Sequence, residues 1–256
     1  MRHSDVEMSD QEVRVQFLGS GDAFGSGGRF QTCILVRAAS TSFLVDCGTS
    51  SLIAMKRAKV DPNQIDTIVI SHLHGDHFGG IPFFILDAQL VSKRTSPLSI
   101  VGPPGISDRV RAAMEILFPG SSEVKQRFSL SFTELTTESS VQVGPILVTA
   151  FPVIHFSGAP SYALRTEVEE RVIVYSGDTE WADSLIEASA SADLFICEAY
   201  YFDKVMKFHL DYKSLLSHRE QFSCKRFLLT HMSEDMLAEL ERVEIETAHD
   251  GLVVTL

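Results

Sequence analysis

Little in this sequence suits a membrane, export or a polyanionic partner. No apolar run approaches the roughly 18 uninterrupted positions of a membrane span, because Gly, Pro, Asp and Ser interrupt the chain throughout. A soluble protein with no membrane partner is therefore expected. Residues 1–12 are polar and acidic and lack the basic start and apolar stretch of a secretory signal, so they read as a disordered tail. Cysteine is sparse: Cys33, Cys47, Cys197 and Cys224 are widely spaced and form no Cys-x-x-Cys pair. They read as reduced core thiols and fit a cytoplasmic protein. Basic residues are outnumbered 34 to 22, and the net charge of −12 repels nucleic acid unless a local basic patch overrides it. No such patch is visible. Lys56-Arg57 reads as the last turn of a helix and Lys93-Arg94 as a solvated loop.

What is present is enough apolar sequence, 45% of 256 residues, to bury one large core. Alternating and β-branched runs predict strands at 13–19, 32–36, 42–45, 66–71 and 98–101. Helical spacing predicts helices at 50–59, capped by Thr49 or Ser50, at 78–91 and at 106–118, the last stopping before Pro119-Gly120. A second series of strands follows at 128–132, 141–150, 162–165, 172–176, 194–197, 227–230 and 252–255. Helices interrupt it near 181–188, 212–222 and 235–241. No fixed-period repeat or long linker is seen. Two mixed strand sets bordered by helices predict an α/β fold, a four-layer αββα sandwich of two mixed β-sheets with helices outside, as a single domain over 13–256. The hydrophilic stretch 121–126 is the expected seam between the halves.

The chemistry concentrates in Ser-His-Leu-His-Gly-Asp-His, where His72, His74, Asp76 and His77 fall within six residues. Positions two apart on a helix diverge by about 200°, so these four groups are expected on a loop following the strand at 66–71. Lone histidines are commonly surface or core residues. Three with an aspartate at this spacing suit a pair of cations, and imidazole with carboxylate accommodates Zn²⁺, Mn²⁺ or Fe.

These residues resemble the hallmark His-x-His-x-Asp-His of the metallo-β-lactamase superfamily of dinuclear hydrolases. Later landmarks fall in the family's order: His155 in Phe-Pro-Val-Ile-His, Asp178 in Tyr-Ser-Gly-Asp-Thr and His231 in Leu-Leu-Thr-His-Met. The resemblance implies one metal on His72, His74 and His155, another on Asp76, His77 and His231, and Asp178 bridging them. It implies two divalent ions, Zn²⁺ foremost with Mn²⁺ or Fe as alternatives, and that Asp46 supports the site from behind. Asp46 otherwise reads as an aspartate that ends a strand and starts a turn at Gly48. Two such cations polarise a scissile phosphoryl or carbonyl group and acidify a water to a pKa near about 7. Asp76 is then also placed to orient that water or accept its proton.

The opening Leu18-Gly19-Ser20-Gly21-Asp22-Ala23-Phe24-Gly25 with Gly27-Gly28-Arg29 resembles the ribonuclease Z-like branch, which includes phosphodiesterases acting on nucleic acid and on small cyclic phosphates. A dinucleotide loop is the decoy, because a strand and not a helix follows. In this branch a histidine between the last motifs assists the leaving group. His209 occupies that place, with Glu198 to orient it; its bland alternative is a helix-entry histidine near Asp211. His3, His218 and His249 match no motif and are expected at the surface. Ribonuclease Z grips tRNA with a long arm, often inserted between the third and fourth motifs. Here the 22 residues from 156 to 177 already hold two expected strands. Together with the net charge, this favours a small or cyclic phosphodiester as the substrate partner, with nucleic acid less favoured. A tRNA 3′-processing endonuclease, a thioester or lactone hydrolase on the same metals, and a metal-stabilised binding module remain as alternatives. A homodimer is a further suggestion of the branch.

Overall fold

The computed structural model describes residues 12–137 and 139–256. The tail expected over 1–12 lies outside them except for Glu12, which pairs with Arg14 at 2.9 Å. Six strands come from the first half: β1 (Arg14–Gly19), β2 (Cys33–Arg37), β3 (Ser42–Val45), β4 (Thr67–Val69), β5 (Leu98–Gly102) and β6 (Leu130–Glu134). The second half supplies β7 (Val141–Val143), β8 (Ile146–Pro152), β9 (Tyr162–Val168), β10 (Arg171–Tyr175), β11 (Leu194–Glu198), β12 (Phe227–Thr230) and β13 (Glu246–Thr247). Finally β14 (Val253–Thr255) returns to the first sheet. The sheets run β14-β1-β2-β3-β4-β5-β6 and β13-β12-β11-β10-β9-β8-β7. Both are mixed: β3 through β6 and β10 through β13 are parallel, and their other neighbours antiparallel.

Side chains alternate across each strand, which sorts them into three apolar layers. Val15, Phe17, Ile34, Val36 and Val45 of the first sheet meet Val148, Leu164, Ile173, Tyr175 and Ile196 of the second in one buried cluster. Their neighbours Leu35, Leu44, Ile68 and Ile100 face outward onto α1 (Ser51–Arg57), α3 (Ile81–Leu90) and α4 (Ile106–Leu117) through Met55, Phe84, Ile85 and Val110. On the other side Val174, Phe195, Cys197 and Leu229 pack on α5 (Ser184–Ser189), α6 (Tyr212–Ser217) and α7 (Glu234–Ala238). This is the expected αββα arrangement. Burial on both faces explains why β2 and β12 read as unbroken apolar runs. Among the described residues no helix is long and apolar enough to cross a membrane. Cys33, Cys47 and Cys197 are buried free thiols and Cys224 is half-buried; burial pushes the Cys33 thiol up to about 12.

Several sequence expectations need correction. The stretch 121–126 is not the seam, because β6 beyond it pairs in parallel with β5, Leu98 opposite Leu130; the chain crosses between sheets only after β6. The run at 252–255 likewise belongs to the first sheet, Val254 opposite Val15. The strand expected over 141–150 is a hairpin of β7 and β8, turned at Gly144, whose φ is +54°. Neither Thr49 nor Ser50 caps α1 with its side chain, since the Ser50 hydroxyl accepts from the Gln31 amide and Thr49 donates to the Gly75 carbonyl. His218 is half-buried, stacked on Trp181 at 3.7 Å; His249 is exposed, and His3 lies outside the described residues.

Arg94 is the largest departure. Far from being solvated it is 1% exposed, and its guanidinium donates to the carbonyls of Ser96, Pro62, Ile65 and Pro97. Those carbonyls belong to the segments that lead into β4 and β5, so one planar five-donor group ties together the entries of the motif strand and its neighbour. Arg94→Met strands several buried carbonyls, each costing about 1–3 kcal/mol. It is expected to lower stability by about 3 kcal/mol in denaturant titration while leaving activity per folded molecule intact. A loss below about 0.5 kcal/mol, ordinary for a surface position, would return Arg94 to the solvated class.

Candidate metal centre

The site lies where strands end. Because β9 is antiparallel to both β8 and β10, the strands β8, β10, β11 and β12 run the same way. His155 follows β8, Asp178 follows β10, Glu198 is the last residue of β11, and His231 directly follows β12. From the first sheet, Asp46 directly follows β3 and the histidine motif follows β4. One edge of the sandwich thus gathers every candidate residue. Two of them sit on strained backbone, Asp46 at φ +58° and His231 at φ +57°. That conformation costs on the order of 1 kcal/mol each and is retained where surrounding packing over-determines it. Gly177 has φ +60°, and a Cβ there would meet the Tyr162 carbonyl at 2.6 Å, so glycine is what lets Asp178 reach the centre. The motif is only partly a loop. His72 and His74 are, but Asp76 and His77 occupy the short helical turn α2 (Gly75–Phe78), where adjacent side chains can still converge on one pocket.

Three groups of ligand-type atoms result, each with its atoms within 4.8 Å of one another: His72, His74 and His155; Asp76, His77, Asp178 and His231; and His155, Asp178 and His209. Asp178 Oδ2 is central, 3.3 Å from Nε2 of His77 and of His231, 3.8 Å from Nε2 of His72 and 4.0 Å from Nε2 of His155. His155 Nε2 and His74 Nδ1 lie 3.0 Å apart. Within the cluster, His72 Nε2, His77 Nε2 and Asp178 Oδ1 are buried with no hydrogen-bond partner. Buried polar atoms are almost always satisfied, so inward-facing orphans of this chemistry fit a cation. The histidine and aspartate cluster indicates divalent metal binding.

The opposite ring nitrogens are held in place. His77 Nδ1 is 2.6 Å from Asp46 Oδ2, and Asp46 also accepts from the Ser71 amide and hydroxyl. His72 Nδ1 lies 3.1 Å from Ser71 Oγ, His155 Nδ1 2.8 Å from the Phe208 carbonyl, and His231 Nδ1 3.3 Å from Thr32 Oγ1. Such partners fix ring orientation and tautomer at metal sites. Burial and the neighbouring His77 hold the His72 imidazole well below its ordinary value, and burial brings His155 down to about 4; both therefore present neutral rings, as ligation requires. Burial opposes ionisation of Asp76, but His77 overcomes it and the carboxyl falls to about 2. Burial likewise opposes Asp178, yet His231, His77 and His72 hold it far below the carboxylate range.

His209 stands beside this cluster, its Nδ1 on Glu198 Oε2 at 2.9 Å and 4.0 Å from Asp178 Oδ2. Burial resists its charge, but Glu198 carries the imidazole up to about 9. The other Glu198 oxygen accepts from the Thr179 amide, next to Asp178. All the residues expected at the site therefore meet. Ser71, Thr32 and Phe208 were not anticipated. Ser71 adjoins the motif and was legible there; Thr32 is far from His231 in sequence, and Phe208 acts through a carbonyl that any residue supplies.

Fold and cluster together define a metal-dependent hydrolase with the metallo-β-lactamase fold, in the ribonuclease Z-like branch. The family model described as Anti-Pycsar protein Apyc1 matches residues 13–251, and the chain belongs to that family. Ribonuclease Z of Lachnoclostridium phytofermentans is 26% identical over 274 residues, covering 87% of this chain and 88% of that protein. The structure of human tRNase Z, short form (ELAC1), superposes with a TM-score of 0.77 at 25% identity, covering 94% of this chain and 98% of that one. The metallo-β-lactamase fold protein YhfI from Bacillus subtilis gives a TM-score of 0.77 at 23% identity, covering 96% and 100%.

Proposed function

We propose that this chain is a phosphodiesterase that hydrolyses a small or cyclic phosphodiester with two divalent ions, zinc foremost. The observation that carries the reading is the single Asp178 oxygen facing both imidazole sets, flanked by the His209–Glu198 pair. In this reading His72, His74 and His155 hold one ion, Asp76, His77 and His231 the other, and Asp178 spans both. Divalent ions held there supply Lewis acidity toward a phosphoryl oxygen and acidify a water. The chain's own groups do the rest. Asp46 keeps His77 in the tautomer whose Nε2 faces the cluster, Asp76 orients the water or takes its proton, and Glu198 maintains a protonated His209. With Nδ1 committed to Glu198, His209 has Nε2 available to protonate the departing alkoxide. Residues 13–256 act in this reading as one domain, supported by the core that both sheets share.

A small substrate is favoured over tRNA by the span between His155 and Asp178, which the β9–β10 hairpin fills, Val168 opposite Arg171, and by the net charge of −12. The test is hydrolysis by the purified protein with Zn²⁺ or Mn²⁺. Cleavage of bis-p-nitrophenyl phosphate is expected, with loss of turnover on chelation. Because the ligands bind the folded state, metal at about 100 times its Kd contributes about 2.7 kcal/mol. Chelation should therefore lower Tm by about 5–10 °C in a chain of this size. An intact phosphodiester alongside cleaved thioesters or lactones would replace the phosphodiesterase reading by a carbonyl one. Metal-dependent Tm without turnover on any of these substrates would leave a binding module.

A further inference from the structure

We propose that Tyr200 is a positioning residue for His209, locking the imidazole face-on beside the glycine-rich opening loop; the inference rests on the acid role given to His209 above. The two rings are stacked, with centroids 4.6 Å apart at 27°. Glu198 restrains His209 within its ring plane at Nδ1, and Tyr200 covers a face, so the ring loses both its in-plane swing and its flip. Tyr200 can serve as a fixed wall because its own peptide is tied down. Its amide donates to the Leu210 carbonyl at 2.9 Å, and its carbonyl accepts from the Ser233 amide and hydroxyl. Its side chain is buried at 8% exposure, and burial together with the nearby Asp22 carboxylate pushes its hydroxyl up.

Asp22 is fully buried and folds the opening loop around itself. It accepts from the Ser26 amide at 2.9 Å, the Ser26 hydroxyl at 2.8 Å and the Phe24 amide at 3.2 Å. The same loop receives the His231 amide at the Ser20 carbonyl. The opening loop therefore lies beside Tyr200 and is tied through Ser20 to the backbone of a proposed ligand. The stack therefore holds the rotamer of His209.

The test compares Tyr200→Leu and Tyr200→Phe on two substrates. Bis-p-nitrophenyl phosphate has a leaving group that needs little protonation, whereas a 3′,5′-cyclic nucleotide expels an alkoxide that does. Tyr200→Leu is expected to lose about 10-fold more kcat on the cyclic substrate than on the aryl ester, with metal content unchanged. Tyr200→Phe, which keeps the ring, should show a smaller difference, and Tyr200→Leu should add nothing further in a His209→Ala background. Equal losses on both substrates, or loss of metal, would assign Tyr200 to general packing and overturn the proposal. Independently of any turnover, the His209 ring protons of the zinc-loaded protein should move out of the Tyr200 ring current and broaden in Tyr200→Leu. A His209 signal indifferent to the loss of that ring would overturn it as well. Failure of the wild type to cleave either phosphodiester would instead strike the phosphodiesterase reading, and these signals would still decide the stack.

Discussion

Asp178→Ala is expected to lower hydrolysis by about 10³-fold or more and to release bound metal while the chain remains folded. The reason is positional. Asp178 Oδ2 lies 3.3 Å from Nε2 of both His77 and His231 and 3.8 Å from that of His72, so one carboxylate faces proposed ligands from both sheets. Its removal takes away the carboxylate oxygen that faces both imidazole sets and leaves Asp76 beside His77 and His231 only, in a pocket where Asp178 is 2% exposed. Metal retention weakens accordingly, because a buried cation must be balanced by nearby negative charge. The rate follows: Lewis-acid stabilisation is worth several kcal/mol, and each 1.36 kcal/mol is tenfold. Metal analysis after gel filtration, circular dichroism and turnover on bis-p-nitrophenyl phosphate together check the prediction. Asp178→Asn separates charge from shape, since the amide fills the same space without the anion. It should behave like Asp178→Ala in metal content. Full metal with full turnover in either variant would remove Asp178 from the centre.

How much of this was readable beforehand depends on how local each signal is. His72, His74, Asp76 and His77 are read from six consecutive residues, and no long-range contact is needed to see that they suit a metal. His155, Asp178 and His231 carry no local signature. They became legible through their order in a family resemblance and their position after apolar runs, which the structure explains by the common direction of β8, β10 and β12. The layers were legible because β2, β3 and β12 are buried on both faces. Strand partnership was not: nothing in residues 130–134 says that they join β5 rather than the sheet that follows, and β14 pairs with β1 across nearly the whole chain. Hydrophilicity at 121–126 reported exposure only. Arg94 misled for a similar reason, since a charged residue beside Lys93 looks solvated until the carbonyls around it are known. Thr32 behind His231 and Tyr200 across His209 are tertiary facts that composition cannot supply.

His209→Ala should separate from Asp178→Ala by keeping its metal. Although His209 Nδ1 lies 4.0 Å from Asp178 Oδ2, that nitrogen is committed to Glu198 at 2.9 Å, and the pairing carries the imidazole up to about 9 against the effect of burial. A ring protonated at neutral pH is a poor ligand and a good proton donor, which is the physical basis for placing it at the leaving group. General acid catalysis typically contributes 10²–10⁴-fold, so a kcat lower by about 10²-fold or more is expected on an alkoxide-expelling substrate, with a milder loss on a p-nitrophenyl ester. Glu198→Gln acts through the same ring. It should fall in the same direction by less, because the amide still holds Nδ1 but no longer sustains the charge. Metal content and Tm distinguish the roles. Loss of metal in His209→Ala equal to that in Asp178→Ala would make His209 a ligand, and the third cluster, with His155 and Asp178, would then be a genuine coordination set. Equal kcat losses on the two substrates with metal retained would instead place His209 at a phosphoryl oxygen, balancing charge there rather than delivering a proton.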